Sequence, residues 1–148
     1  MIRAVVDANV FASGVLGYRR SESAPGEVFR QWQVRAFVLV TSAHLIAEVE
    51  RTLADPFFTA RIPPAEISKA LESLKRDAEL TALTATVSGV ASHPEDDLVL
   101  AAAVSATADI LVTGDKQLQR LAVFREVAIV GPRDFLRHIE HEGEIARR

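Results

Sequence analysis

The chain is 148 residues long, enough for one domain with its own core and too short for two ordinary ones. Hydrophobic residues make up 49% and charged residues 25%, which excludes a disordered chain, and the absence of cysteine excludes disulfides and thiolate metal sites. A net charge of −3 excludes a general nucleic-acid coat, which is basic, but leaves room for an enzyme that holds nucleic acid locally.

The chain opens with Ile2 to Val6, a short apolar, β-branched run that stops at Asp7, as a buried parallel strand does. Arg3 and Asp7 interrupt this start, so it lacks the long apolar stretch of a secretion signal. No apolar run reaches the roughly 20 residues needed to cross a membrane. A soluble cytoplasmic protein with no membrane partner is expected. Residues 14 to 26, with their glycines, serines and the Arg19-Arg20 pair, read as a loop. A helix follows from about Pro25 to Val34, with proline in its first turn.

Phe37 to Thr41 is a second buried strand, and Ser42 suits the N-cap of a helix over Ala43 to Leu53. Pro63-Pro64 opens another helix, with Ile67, Ala70, Leu71 and Leu74 at helical spacing. Thr81 to Val87 reads as a strand and Ser88 to Pro94 as a loop. Glu95, Asp96 and Asp97 begin a helix whose body, Leu98 to Ala106, is apolar, and acids there complement the helix dipole. Ile110 to Thr113 is a strand, and Gly114-Asp115 turns it into a helix holding Leu118 and Leu121. Val127 to Val130 is a last strand, and Gly131-Pro132 starts a helix to about Ile139. From His141 on, the sequence reads as a polar, frayed tail, so the domain is expected over residues 1–140 with a tail over 141–148. Strands alternating with helices imply an α/β fold of three layers, a parallel sheet covered on both faces.

Two acids, Asp7 and Asp115, stand where strands stop. Sites in open α/β sheets form beyond the carboxyl ends of strands, so both carboxylates are expected in one crevice. Glu48 edges the apolar stripe of Ile46, Val49 and Leu53, where an acid needs a partner or a cation. Of Asp96 and Asp97, one is free to face the same crevice and the other to cap its helix. Asp7, Glu48, Asp96 or Asp97, and Asp115 would be four like charges in one place, and a divalent cation removes that conflict. All-oxygen ligands select Mg²⁺ or Mn²⁺. Such a site suits phosphodiester hydrolysis. Asn9, Ser13 and Thr113 are neutral polar groups close in sequence to the strand-end acids, placed to hydrogen-bond the carboxylates or a water on the metal. Arg19, Arg20 and Lys116 are the candidate phosphate contacts. His44 and Glu48, four residues apart, are a weaker metal pair, lacking a second histidine nearby in sequence. An aspartyl phosphotransferase wants a second acid two residues after Asp7, and Asn9 stands there.

These segments resemble the PIN-domain family, the fold of VapC-type toxins and related nucleases. Val5-Val6-Asp7-Ala8-Asn9-Val10-Phe11 resembles the opening Asp-x-Asn motif, and Glu48 matches the helical acid after strand two. Pro94-Glu95-Asp96-Asp97 with Leu98 to Ala103 resembles the third acidic block, and Ala108 to Asp115 the closing Thr-x-Asp segment. Gly131-Pro132-Arg133-Asp134-Phe135-Leu136 is similar to a subgroup of toxin components of toxin–antitoxin pairs. The resemblance runs in order from about residue 2 to residue 137. It implies about five parallel strands, RNA endonuclease activity, a Mg²⁺ or Mn²⁺ cofactor, a homodimer and an antitoxin partner that blocks the site. Aligning Ala103 with the family's small helix residue favours Asp96 as third ligand, whereas counting back from Asp115 favours Asp97, and both stand. The other reading is a non-catalytic PIN-fold module that binds RNA or protein.

Overall fold

The computed structural model describes residues 1–147. A six-stranded sheet forms its centre, built from β1 (Arg3–Val6), β2 (Val38–Thr41), β3 (Glu79–Leu80), β4 (Ile110–Val112), β5 (Val123–Phe124) and β6 (Val127–Val130). The strand order is β3-β2-β1-β4-β6-β5. The first five strands in that order run parallel, and β5 closes the edge antiparallel to β6. The helices are α1 (Ala8–Gly17), α2 (Ala24–Gln33), α3 (Ala43–Leu53), α4 (Pro56–Thr59), α5 (Pro64–Asp77), α6 (Pro94–Ser105), α7 (Lys116–Gln119) and α8 (Pro132–Ala146).

Both faces of the sheet are covered, which is why its strands read as unbroken apolar runs. Val6, Phe37 and Leu39 meet Val10, Phe11, Val28 and Trp32 of α1 and α2. Phe135 of α8 packs edge to face on Phe37, with ring centroids 4.9 Å apart. Alternate residues point the other way, and there Val5, Val40 and Leu111 are fully buried. α6 packs on β1 and β4, and its run from Val99 to Ala103 is buried all round. A helix without a polar stripe belongs inside a fold.

The sequence reading of residues 14–26 is corrected at its start. The chain is helical from Ala8 to Gly17, and its glycines serve contact between helices rather than a turn. A Cβ at Gly26 would lie 2.2 Å from the carbonyl oxygen of Gly17, so α1 and α2 cross backbone to backbone there. Thr81 to Val87 is not a strand. The ladder ends where the Thr81 N–H donates to the Thr41 carbonyl at 2.8 Å, and the next N–H groups, of Thr84 and Ala85, donate to the Ser105 hydroxyl. The helix after Asp115 stops at Gln119, leaving Leu121 outside it, and β5 is an element the sequence did not suggest. The polar stretch from His141 continues α8 to Ala146. Arg148 lies outside the described residues. No helix among the described residues is long and apolar enough to cross a membrane.

Candidate active site

The chain leaves β1 for β2 on one side and later returns to β4 on the other, so the sheet order reverses between β1 and β4. Asp7 follows β1 and Asp115 follows β4, which puts both at the crevice where α/β sheets carry their sites. Both acids are also helix caps. One oxygen of Asp7 accepts from the Ala8 N–H at 2.8 Å, and Oδ1 of Asp115 accepts from the N–H groups of Gln117 at 2.8 Å and Leu118 at 3.3 Å. The capping and crevice roles are therefore compatible.

Thr113 connects the two acids. Its hydroxyl donates to Oδ2 of Asp7 at 2.9 Å and accepts from the Asp115 N–H at 3.1 Å. Thr113 is fully buried, and its carbonyl accepts from the Gln119 side chain at 2.7 Å. Burial pushes the Asp7 carboxyl above its ordinary range. The Thr113 and Ala8 hydrogen bonds oppose this, and the Asp115 charge adds to it.

Glu48 and Asp96 complete the group. Burial drives Glu48 up to about 7, reinforced by the charges of Asp7, Glu95 and Asp96. Burial likewise raises Asp96, followed by the charges of Asp7 and Asp115, while His93 acts in the opposite direction. The two carboxylates Asp96 and Asp115 line one small cavity of about 50 Å³, with Ala91, Ser92 and Gln117 on its wall. Asp7, Glu48, Asp96 and Asp115 thus form one set of mutually repelling carboxylates, drawn from α3, α6 and the ends of β1 and β4. Among the described residues, no three acids or histidines are close enough as they stand to hold one ion. The acids are gathered without being closed into a cage.

Asp97 faces elsewhere. It is buried, and its carboxylate accepts from the N–H groups of Gly89 at 3.1 Å, Val90 at 3.2 Å and Ala91 at 2.7 Å. Gly89 sits at φ +70°, a left-handed conformation that glycine adopts without cost. Asp97 therefore holds the loop that walls the cavity, and Asp96 faces the other acids.

One oxygen of Glu48, Oε2, is buried with no hydrogen-bond partner. The Thr41 hydroxyl, at the end of β2, is likewise buried and unpartnered, and the sequence reading did not single it out. The signal was the one that marked Thr113: a hydroxyl ending an apolar strand. Asn9 is exposed and Ser13 half-buried, and neither side chain hydrogen-bonds the acids among the described residues. Of the candidate phosphate contacts, Arg19 pairs with Glu66 of α5 at 2.5 Å. Arg20 is exposed in the turn between α1 and α2.

No curated protein matches the chain. Among solved structures, it is similar to Mycobacterium tuberculosis VapC20, described as a sarcin-ricin loop cleaving toxin. The TM-score is 0.53 at 16% sequence identity, over 84% of this chain and 98% of that one. At that identity the likeness is one of fold. The PIN domain family model matches residues 3–117, a stretch that contains all four gathered acids. On that match, and on the order of its strands and strand-end acids, the chain belongs to the PIN domain family.

Proposed function

We propose that the chain is a metal-dependent endoribonuclease that hydrolyses RNA phosphodiester bonds. The observation that carries this reading is Glu48 Oε2, a buried carboxylate oxygen without a partner, facing the charges of Asp7 and Asp96. A half-buried carboxyl among acids is driven to keep its proton, and a cation in the proton's place relieves the same repulsion. The donor set, Asp7, Glu48, Asp96 and Asp115, is all oxygen and fits Mg²⁺ or Mn²⁺. When bound, such an ion lowers the pKa of water and offsets charge on phosphate oxygens. Thr113 fixes the orientation of Asp7 and the backbone of Asp115. Asp97 fixes the loop beside Asp96. Asn9 and Ser13 are assigned outer roles, on solvent molecules around the ion.

The same proposal extends to a toxin role in a toxin–antitoxin pair, with a homodimer and an antitoxin that covers the crevice. Its support is the PIN family match and the fold shared with a VapC toxin. The test is cleavage of RNA with Mn²⁺ or Mg²⁺, abolished by EDTA and by Asp7→Asn or Asp115→Asn in proteins that remain folded. A second reading, a non-catalytic RNA- or protein-binding module, draws on the lack of three converged donors among the described residues. Cleavage that survives both substitutions would remove the proposed site. Partner binding by a chain that never cleaves would favour the module.

A further inference from the structure

A groove of about 460 Å³ runs beside the acidic crevice, between the start of α2 and the start of α8. That volume lies within the roughly 300–1,000 Å³ of ordinary ligand sites. Gly114 and Gly131, which follow β4 and β6, line it, so it opens on the same edge of the sheet as Asp7 and Asp115. Gly114 and Lys116, which flank Asp115 in sequence, both line it, so the groove lies next to the site.

The lining is cationic. Lys116, Arg133 and Arg137 reach it, the last two at i and i+4 on one face of α8. Arg137 is paired with Asp134 at 2.5 Å, whereas Lys116 and Arg133 have no ion pair among the described residues. Three cations against one acid, Asp134, leave the groove net positive on a chain of net charge −3. No aromatic ring lines the groove, so it offers no base-stacking platform. Its chemistry matches the charged backbone of a polynucleotide rather than the bases.

We propose that this groove is the track for the phosphodiester backbone of single-stranded RNA next to the scissile bond, with Lys116 and Arg133 as its phosphate contacts. This rests on the ribonuclease reading of the adjacent acids. Because it reads phosphates and not base edges, it sets affinity and register but not sequence preference.

The test is fluorescence anisotropy with a labelled RNA of roughly ten nucleotides, without added divalent metal, against the full chain. Lys116→Gln with Arg133→Gln is expected to weaken binding about tenfold and to lower the salt slope by about 1.4, the release expected for two single-strand phosphate contacts. Lys116→Arg with Arg133→Lys, which keeps the charges, should restore it, and Arg35→Gln, ahead of β2 on the opposite edge of the sheet, should change nothing. Unchanged affinity and salt slope in the double Gln variant would overturn the proposal. So would weakened binding to polyglutamate with RNA binding intact, which would assign the groove to an acidic protein segment. Cleavage by the unaltered chain with Mn²⁺ is scored separately. Cleavage with an unaffected Gln variant rejects the groove alone, and RNA binding lost in that variant without any cleavage rejects the nuclease reading alone.

Discussion

The Thr113 hydroxyl donates to the Asp7 carboxylate at 2.9 Å across 106 positions of sequence, joining the ends of β1 and β4. The bond favours the charged form of Asp7 against a burial that disfavours it. Thr113→Val keeps the shape but leaves the carboxylate and the Asp115 N–H each short of a partner. It should lower stability by about 1.5–3 kcal/mol. Urea denaturation measures this, and Thr113→Ser should recover most of the loss. If the valine variant unfolds at the same urea concentration, the bond contributes nothing.

Asp96 and Asp97 are adjacent, yet their substitutions should differ in kind. Asp97→Ala strands three loop N–H groups and should cost about 2–3 kcal/mol in stability. Asp96→Ala removes a carboxylate repelled by Asp7 and Asp115, so metal-free stability should hold or rise. Under the proposed function, RNA cleavage should vanish in the Asp96 variant. Equal loss of stability in both would contradict the division of roles.

A raised carboxyl makes stability depend on pH in a stated direction. Glu48 moves from 4.5 to about 7, so between these values the folded chain holds a proton that the unfolded chain has released. Its favourable contribution is complete below pH 4.5 and is lost as pH rises through 7. Metal-free protein should therefore melt lower at pH 8 than at pH 5.5, and Glu48→Gln should flatten the slope. Mn²⁺ should raise the melting temperature most at the higher pH, with release of protons visible by calorimetry in two buffers of different ionisation enthalpy. A slope identical in the Gln variant would falsify this role for Glu48.

Two glycines test the packing. Gly26→Ala places a Cβ 2.2 Å from the Gly17 carbonyl oxygen, and overpacking of this kind should cost about 1–3 kcal/mol or more. Gly143→Ala, late in α8, meets nothing nearer than 4.0 Å and should stabilise by about 0.5–1 kcal/mol. Thermal denaturation of the pair, read side by side, separates steric contact from helix propensity.

Much of the fold was legible because local pattern dictates it. The β-branched runs at Ile2 to Val6 and Ile110 to Thr113 supply the strands Arg3–Val6 and Ile110–Val112, and Ser42, capping Leu45 at 3.1 Å, begins a helix bounded as the sequence suggests, at Ala43 and Leu53. The same pattern marked the acids that end β1 and β4. Where long-range contact overrides local chemistry, the sequence was silent or misleading. Gly14 and Gly17 read as a loop, yet they sit in α1 because a neighbouring helix needs their missing side chains. Thr81 to Val87 reads as a strand, yet the N–H groups of Thr84 and Ala85 go to the Ser105 hydroxyl and not to a ladder. Asp96 and Asp97 are chemically equal and one residue apart in a helix, so only the loop folded against Asp97 decides which of them turns toward Asp7. Sequence places charges along a line, and the choice of partner for each belongs to the distances that folding creates.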